Sequence, residues 1–237
     1  MSAEARTSVR VLADEQAALL RVAALVAHGA AEAEIFDAVA VEAARLIDDE
    51  PTTLVRHEGN RTFTVVATHN GPAPIGTRFT VPDNDPGTLD ALMRTLRPAR
   101  MDRYDPLSNF SSKDFGVGSS VAIPIIVNGR LWGSLGTLNE GRPLPQETEE
   151  RLGKFGELVS SSLANVEARA ELERFGDEQA ALRRVAELAA GGTSPALVLA
   201  AVVNEASHLF EDAFVSSVRY GPSGAWERLD VDGPPGA

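Results

Sequence analysis

The stretch "GSSVAIPIIVNGRLWGSLGTLNEG", residues 118–141, decides the fold. Two apolar runs meet at Asn128-Gly129, the pair that best suits a two-residue type I′ turn because both turn positions need positive φ. The flanking runs therefore form a β-hairpin. Val121, Ile123, Ile125 and Val127 alternate along one face of the first strand, and Leu131, Gly133 and Leu135 along the return strand. Glycine packs nothing in a strand, so Gly133 and Gly136 mark a bulge or a place where another group comes close to the backbone.

Upstream of the hairpin the period changes. Leu12, Leu19, Val22, Leu25 and Val26 mark one amphipathic helix and Ile35, Val39, Ala43 and Leu46 a second, with the break at His28-Gly29. "TTLVRHEGNRTFTVVATHNG" (52–71) reads as a strand through Val55, a turn at Glu58-Gly59-Asn60 and a strand alternating Phe63, Val65 and Ala67. "TRFTVP" (77–82) is a short strand. A helix follows Pro86 with Leu89, Leu92, Met93 and Leu96 on its inner face, and 102–118 has loop chemistry. Downstream, Leu152, Phe155, Val159, Leu163 and Val166 keep a 3-4 spacing and open a helical run from Gln146 to Ala190, roughly 65 Å long at 1.5 Å per residue.

The chain repeats itself. "DEQAALLRVAALVA" (14–27) returns as "DEQAALRRVAELAA" (177–190), identical at eleven of fourteen positions. The offset of 163 continues through Val39/Val202, Glu42/Glu205 and Leu46/Leu209 to Val55-Arg56 against Val218-Arg219. With one residue slipped, "HNGP" at 69–72 matches "VDGP" at 231–234, and nothing answers to residues 76–165. The expected organisation is a tail at 1–12, a full domain at 13–165, a helical connector at 166–176 and an incomplete second copy at 177–237.

Composition narrows the chemistry. Lys and Arg number 22 against 34 Asp and Glu, a formal charge of -12, so no nucleic-acid backbone and no anionic bilayer is expected as a partner. The polar N-terminus and the lack of a long apolar run point to a cytoplasmic protein. The absence of cysteine removes disulfides, thiolate catalysis, Cys-ligated zinc and thioether-attached chromophores. His28, His57, His69 and His208 have no i, i+4 pairing, and Ser160-Ser161-Ser162 lies mid-helix without a partnered base. No catalytic group, metal or cofactor is expected.

The order helix, helix, hairpin, short strand, helix, loop, "SSVAIPIIVNGRLWGSLGT", helix resembles the GAF domain, a small-molecule sensor module of signalling proteins. Its most telling pieces are the "IPIIVNGRLWGSLGT" hairpin, "RPARMDRYDP" (97–106) and the two leading helices. The resemblance implies an α+β fold. In it a central antiparallel sheet of about six strands carries helices on both faces, followed by a long helix and a partial second copy. It also implies a pocket under the middle helix and loop, and the length of 105–118, its Ser and Gly content and its few apolar anchors, Leu107, Phe110 and Phe115, predict that this loop is the mobile lid. Thr68, Arg100, Asp102, Tyr104, Phe115, Trp132 and Thr137 are its candidate ligand-binding residues, Arg100 as a fork for a carboxylate or phosphate.

Departures from the family exclude ligands. Attachment of linear tetrapyrroles and reduction of methionine sulfoxide need cysteines. The haem-binding pattern needs a His ahead of the "IP" strand, where "NFSSKDFGVGSS" (109–120) has none. The cyclic-nucleotide constellation has no convincing copy. The expectation is a sensory module that binds an unidentified small molecule and transmits through a long, homodimerising helix to an output domain outside this chain, such as the histidine kinase of a two-component system. A ligand-free dimerisation or scaffold module is the alternative.

Overall fold

Asn128 and Gly129 take φ of 49° and 76° and close the central hairpin between Ser119–Val127 and Arg130–Asn139. The computed structural model describes residues 3–83, 85–104, 116–209, 215–220 and 226–232. Along the chain come α1 (Ala3–Ala27), α2 (Glu32–Leu46), β1 (Thr52–Gly59), β2 (Thr62–His69), β3 (Arg78–Thr80) and α3 (Thr88–Thr95). β4 (Ala99–Met101), β5 (Ser119–Val127), β6 (Arg130–Asn139) and α4 (Thr148–Ala190) follow, then α5 (Pro195–Leu209), β7 (Val215–Tyr220) and β8 (Trp226–Asp232). The chain divides into two units, Met1–Asn165 and Val166–Ala237.

The first unit is built on an antiparallel sheet of order β3-β2-β1-β6-β5-β4. One face is covered by α1, α2 and the start of α4: Val22, Val39, Leu152, Phe155 and Val159 are fully buried against Leu54, Ile125 and Leu135. The other face carries α3, whose Leu92 is fully buried beside Ala122, while Leu89 and Met93 pack on Val55, Phe63 and Val65. Leu96 leaves this face. It ends α3 in the left-handed region at φ 53° and is 44% exposed. α1 extends back to Ala3, into the stretch expected as a tail, because no Gly or Pro between Ala3 and Ala13 stops a helix.

Two bulges re-phase the strands. The β1–β2 register steps from Leu54↔Ala67 to Val55↔Val65. Phe63 and Val65 therefore face α3 while Ala67 joins the opposite core, and the three do not share one face as simple alternation predicts. The β5–β6 register steps from Ile125↔Gly133 to Ile126↔Leu131, with Trp132 as the extra residue. Leu131 packs with the α3-side residues and Leu135 with the helix-side core, where a regular strand would have aligned them. Gly133 lies at this step. A Cβ there would overlap the carbonyl oxygen of Val55 on β1, so only glycine admits the strand.

The β1–β2 turn falls on Asn60 and Arg61, at φ 47° and 59°, one residue beyond the expected position. An arginine in the left-handed region is strained, and its side chain is correspondingly well held. Nε donates to Val81 O at 2.9 Å, and Nη2 to Pro82 O at 2.6 Å and Asp90 Oδ1 at 2.8 Å. The turn thereby ties the hairpin tip to α3.

The second unit contains the end of α4, then α5, β7 and β8. Its details repeat those of the first. Arg21 Nε and Nη2 donate to both oxygens of Glu42 at 2.9 and 2.5 Å, and Arg184, 163 positions on, does the same to Glu205 at 2.6 and 2.5 Å. The β7–β8 register steps from Ser217↔Asp230 to Val218↔Arg228, the bulge of β1–β2 at the same offset. Asp232 faces Val215 as His69 faces Thr52, so the hairpin carries no slip, contrary to the one-residue shift in the sequence match. Val39 is fully buried, whereas Val202 at the equivalent place is 42% exposed.

Two glycines give opposite predictions. Gly153 on α4 has open space at its Cβ position, so Gly153→Ala is expected to stabilise by about 0.5–1 kcal/mol. Gly133→Ala forces backbone apart and is expected to destabilise by about 1–3 kcal/mol. Urea unfolding of both variants measures the signs.

The Arg21 fork holds the buried Glu42 carboxylate below its ordinary value of 4.5. A lowered folded value means stability that is complete above that ordinary value and is lost as pH falls through the folded one. Glu42→Gln should be less stable than the parent at pH 7, with the gap closing in acid. Unfolding curves across that range check it.

Candidate functional site

Between the sheet and α3 lies a largely apolar cavity of about 100 Å³. Each element contributes by its register. β1 presents Thr53 and Val55, and β2 presents Val65. β6 presents Ser134, Gly136 and Leu138, the set the Trp132 bulge places opposite Leu135. Ser120 and Ala122 come from β5, and Thr88 and Leu89 from the first turn of α3. Gly136 forms part of the floor. A Cβ there would meet only backbone of β5, Val121 O at 3.3 Å and Ala122 Cα at 4.0 Å, so glycine keeps this part of the floor low.

The polar groups fall into two kinds. Thr88, Ser120 and Tyr104 form a ring of hydroxyls: Tyr104 Oη lies 2.7 Å from Ser120 Oγ and 3.3 Å from Thr88 Oγ1, and those two are 2.9 Å apart. Thr88 N–H also donates to Tyr104 Oη at 3.2 Å. Three hydroxyl protons serve three contacts, so the ring is satisfied within itself. The Thr53 hydroxyl pairs with that of Thr68 at 3.1 Å. Ser134 differs: it is 1% exposed and its Oγ has no partner. No ionisable side chain among the described residues lines this cavity.

The expected site residues are dispersed. Thr68 lies behind Thr53 and supports it. Thr137 borders the cavity, but it pairs in register with Val121 of the helix-side core and donates its hydroxyl to Pro51 O at 2.9 Å. Its side chain therefore turns away from the α3 face. Trp132 is corrected to the other face, where it packs on Phe36 with ring centroids 5.2 Å apart; the bulge is the reason.

Arg100 is also corrected. It stands opposite Val121, donates to Asp102 Oδ1 at 2.7 Å, to Pro145 O at 3.0 Å and to Leu144 O, and so lashes β4 to the segment before α4. Asp102 is exposed and is its partner. Tyr104 is buried, and its hydroxyl reaches the cavity wall through Thr88 and Ser120. Phe115 and the 105–115 part of the expected lid lie outside the described residues.

Ser134, Ser120, Thr53 and Thr88 were not anticipated by sequence reasoning, which had singled out only Gly136, as a point of close approach. The available signal was the small and polar series Ser134, Gly136 on a strand whose neighbours are apolar. The four histidines lie away from this cavity: His28 and His208 bond carbonyls of their own helices, His57 packs on Phe63, and His69 pairs with Asp49. Among the described residues no His, Asp and Glu cluster has the geometry of a metal site.

The GAF domain family matches residues 32–163, more than half of the chain, and this chain belongs to that family. Comparison with curated proteins gives no match. Among solved structures it is similar to the phycocyanobilin-bound GAF domain of a cyanobacterial phytochrome, with 17% identity and a TM-score of 0.54 over 64% of this chain and 94% of that one. It is also similar to the GAF domain of an Acinetobacter phosphoenolpyruvate-protein phosphotransferase, with 12% identity and a TM-score of 0.52 over 66% and 97%. The photosensory core module of a Stigmatella aurantiaca phytochrome gives 17% identity and a TM-score of 0.64 over 97% of this chain and 50% of that one. At these identities the likeness is one of fold.

The hydroxyl ring yields a prediction. Tyr104→Phe removes the oxygen shared by Thr88 N–H, Thr88 Oγ1 and Ser120 Oγ. It is expected to cost about 1–3 kcal/mol and to speed amide exchange in the first turn of α3, while amides of the β5–β6 ladder keep their protection. Hydrogen exchange read by mass spectrometry resolves the two regions.

Proposed function

We propose that this chain is the sensory and regulatory part of a cytoplasmic signalling protein, without catalytic activity of its own. Its GAF domain binds a small molecule between the sheet and α3 and transmits the change through α4 to an output domain such as a histidine kinase. The observation that carries this reading is the largely apolar cavity whose wall holds a buried, unpaired Ser134 hydroxyl. The described lining residues include no ionisable side chain, so none of them can act as a general acid or base. A bilin occupies the cyanobacterial relative; here a cavity of about 100 Å³ and a chain without cysteine argue for a much smaller occupant. No helix among the described residues is long and apolar enough to cross a membrane.

We read the second unit as a partial second GAF copy, on the repeated Arg–Glu fork and the repeated hairpin bulge. The chain is also proposed to form a homodimer, through a seam other than the one expected. Leu152, Phe155, Val159 and Leu163 are buried in their own domain and are unavailable. Further along α4, Leu172, Phe175 and Leu182 are 70%, 60% and 58% exposed, and with Gln179, Ala186 and Ala189 they keep the 3-4 spacing of a coiled-coil seam. This stripe also favours the second reading, a ligand-free dimerisation module.

Two measurements separate the readings. In a thermal-shift screen of the full chain, a ligand at about a hundred times its Kd adds about 2.7 kcal/mol of stability, and Ala122→Val, which narrows the cavity, should abolish that gain. A screen in which no compound gives an Ala122-dependent shift leaves the scaffold reading. For the dimer, Phe175→Glu is expected to yield a folded monomer, whereas Val159→Glu should unfold the first unit. Light scattering with circular dichroism distinguishes these outcomes.

A further inference from the structure

Ser134 Oγ is the only unpaired buried side-chain polar atom among the described residues that line the cavity under α3; Thr148 and Ser217, the other two without partners, lie elsewhere. An unsatisfied buried hydroxyl costs about 1–3 kcal/mol, and native structures keep few of them. Every other hydroxyl among the described lining residues is spoken for. Thr53 pairs with Thr68, Thr137 donates to Pro51 O, and Thr88 and Ser120 close a ring with Tyr104. The rest of the described wall is apolar or backbone, with Val55, Val65, Leu89 and Ala122 over the open floor at Gly136.

We propose that this cavity takes an uncharged molecule of about four to six non-hydrogen atoms, by comparison with a 150 Å³ cavity that holds benzene. It is apolar over most of its surface and carries one hydroxyl or carbonyl that pairs with Ser134 Oγ. A short neutral alcohol or ketone has this chemistry. The inference rests on the reading of the cavity as the ligand site and adds the class of ligand. Charge decides against an anion or cation. The described lining residues offer no counter-ion, and a buried ion without a partner is far costlier than a buried hydroxyl. Size decides against larger effectors, whose pockets run to about 300–1,000 Å³. Ser134 both donates and accepts, so an alcohol and a ketone are each served.

The test uses the full chain labelled with nitrogen-15 and four probes that share a four-carbon skeleton: butan-2-one, butan-1-ol, butyrate and butylammonium, with cyclopentane as an apolar control. Butan-2-one and butan-1-ol are expected to shift the amides of Ser134, Gly136 and Ala122 saturably, and the two ions to leave them unmoved. Ser134→Ala is expected to raise Tm by about 2–4 °C through loss of the unpaired hydroxyl. The same variant should weaken butan-2-one about threefold to tenfold and leave cyclopentane unchanged. Saturable binding of butyrate or butylammonium at those amides overturns the ligand class while keeping the site. Binding of butan-2-one unaffected by Ser134→Ala overturns the role of Ser134. If no probe shifts these amides saturably, the cavity is not a ligand site, and both readings fall.

Discussion

β6 runs so close to β1 at Gly133 that one added methyl group would overlap the Val55 carbonyl oxygen. The bulge at Trp132 lies next to that contact, and it sets which side chains of β6 go to which face. Beyond it, Leu135 falls to the helix-side core, while Ser134 and Gly136 fall to the α3 face and make the cavity. A regular strand would have placed Leu131 with Leu135 and brought Trp132 to the α3 face beside Ser134 and Gly136. The price of this arrangement is a glycine in the middle of the central sheet.

The helix-side core depends on the same closeness. Gly156 of α4 approaches β5 until a Cβ would lie 2.9 Å from Ile123 Cγ2, which brings Leu152, Phe155 and Val159 into full burial. On the far side, Arg61 pins the hairpin tip to α3 through Asp90, and the Tyr104 hydroxyl anchors the N-terminus of α3. Asp90 and Thr88 both lie in the first turn of α3, so polar contacts hold the N-terminal end of the helix over the largely apolar cavity.

Recurrence of the Arg–Glu fork in the second unit separates two kinds of constraint. The forks at Arg21–Glu42 and Arg184–Glu205 and the two hairpin bulges are local to a helix pair and a hairpin, so they persist wherever those elements form. Burial is not local. Val39 is covered by the sheet and the helices of its unit, whereas Val202 stands 42% exposed with a two-stranded sheet beside it. The same sequence pattern therefore makes a closed core in one unit and an open apolar face in the other.

The sequence by itself determined the helices, the type I′ turn at Asn128-Gly129 and the repeat, because periodicity and turn chemistry act over a few residues; the six-stranded antiparallel sheet was legible only through the resemblance to the GAF domain. The face occupied by Trp132, Arg100 and Ala67, and the membership of Ser134 and Gly136 in the cavity, were decided only by tertiary structure. A bulge moves each residue beyond it to the opposite face, and the close approach that demands glycine beside it is between residues far apart in the chain, Gly133 and Val55. The fork of Arg100 was legible as a fork, but its partners Asp102, Leu144 and Pro145 became apparent only once β4 lay beside the start of α4.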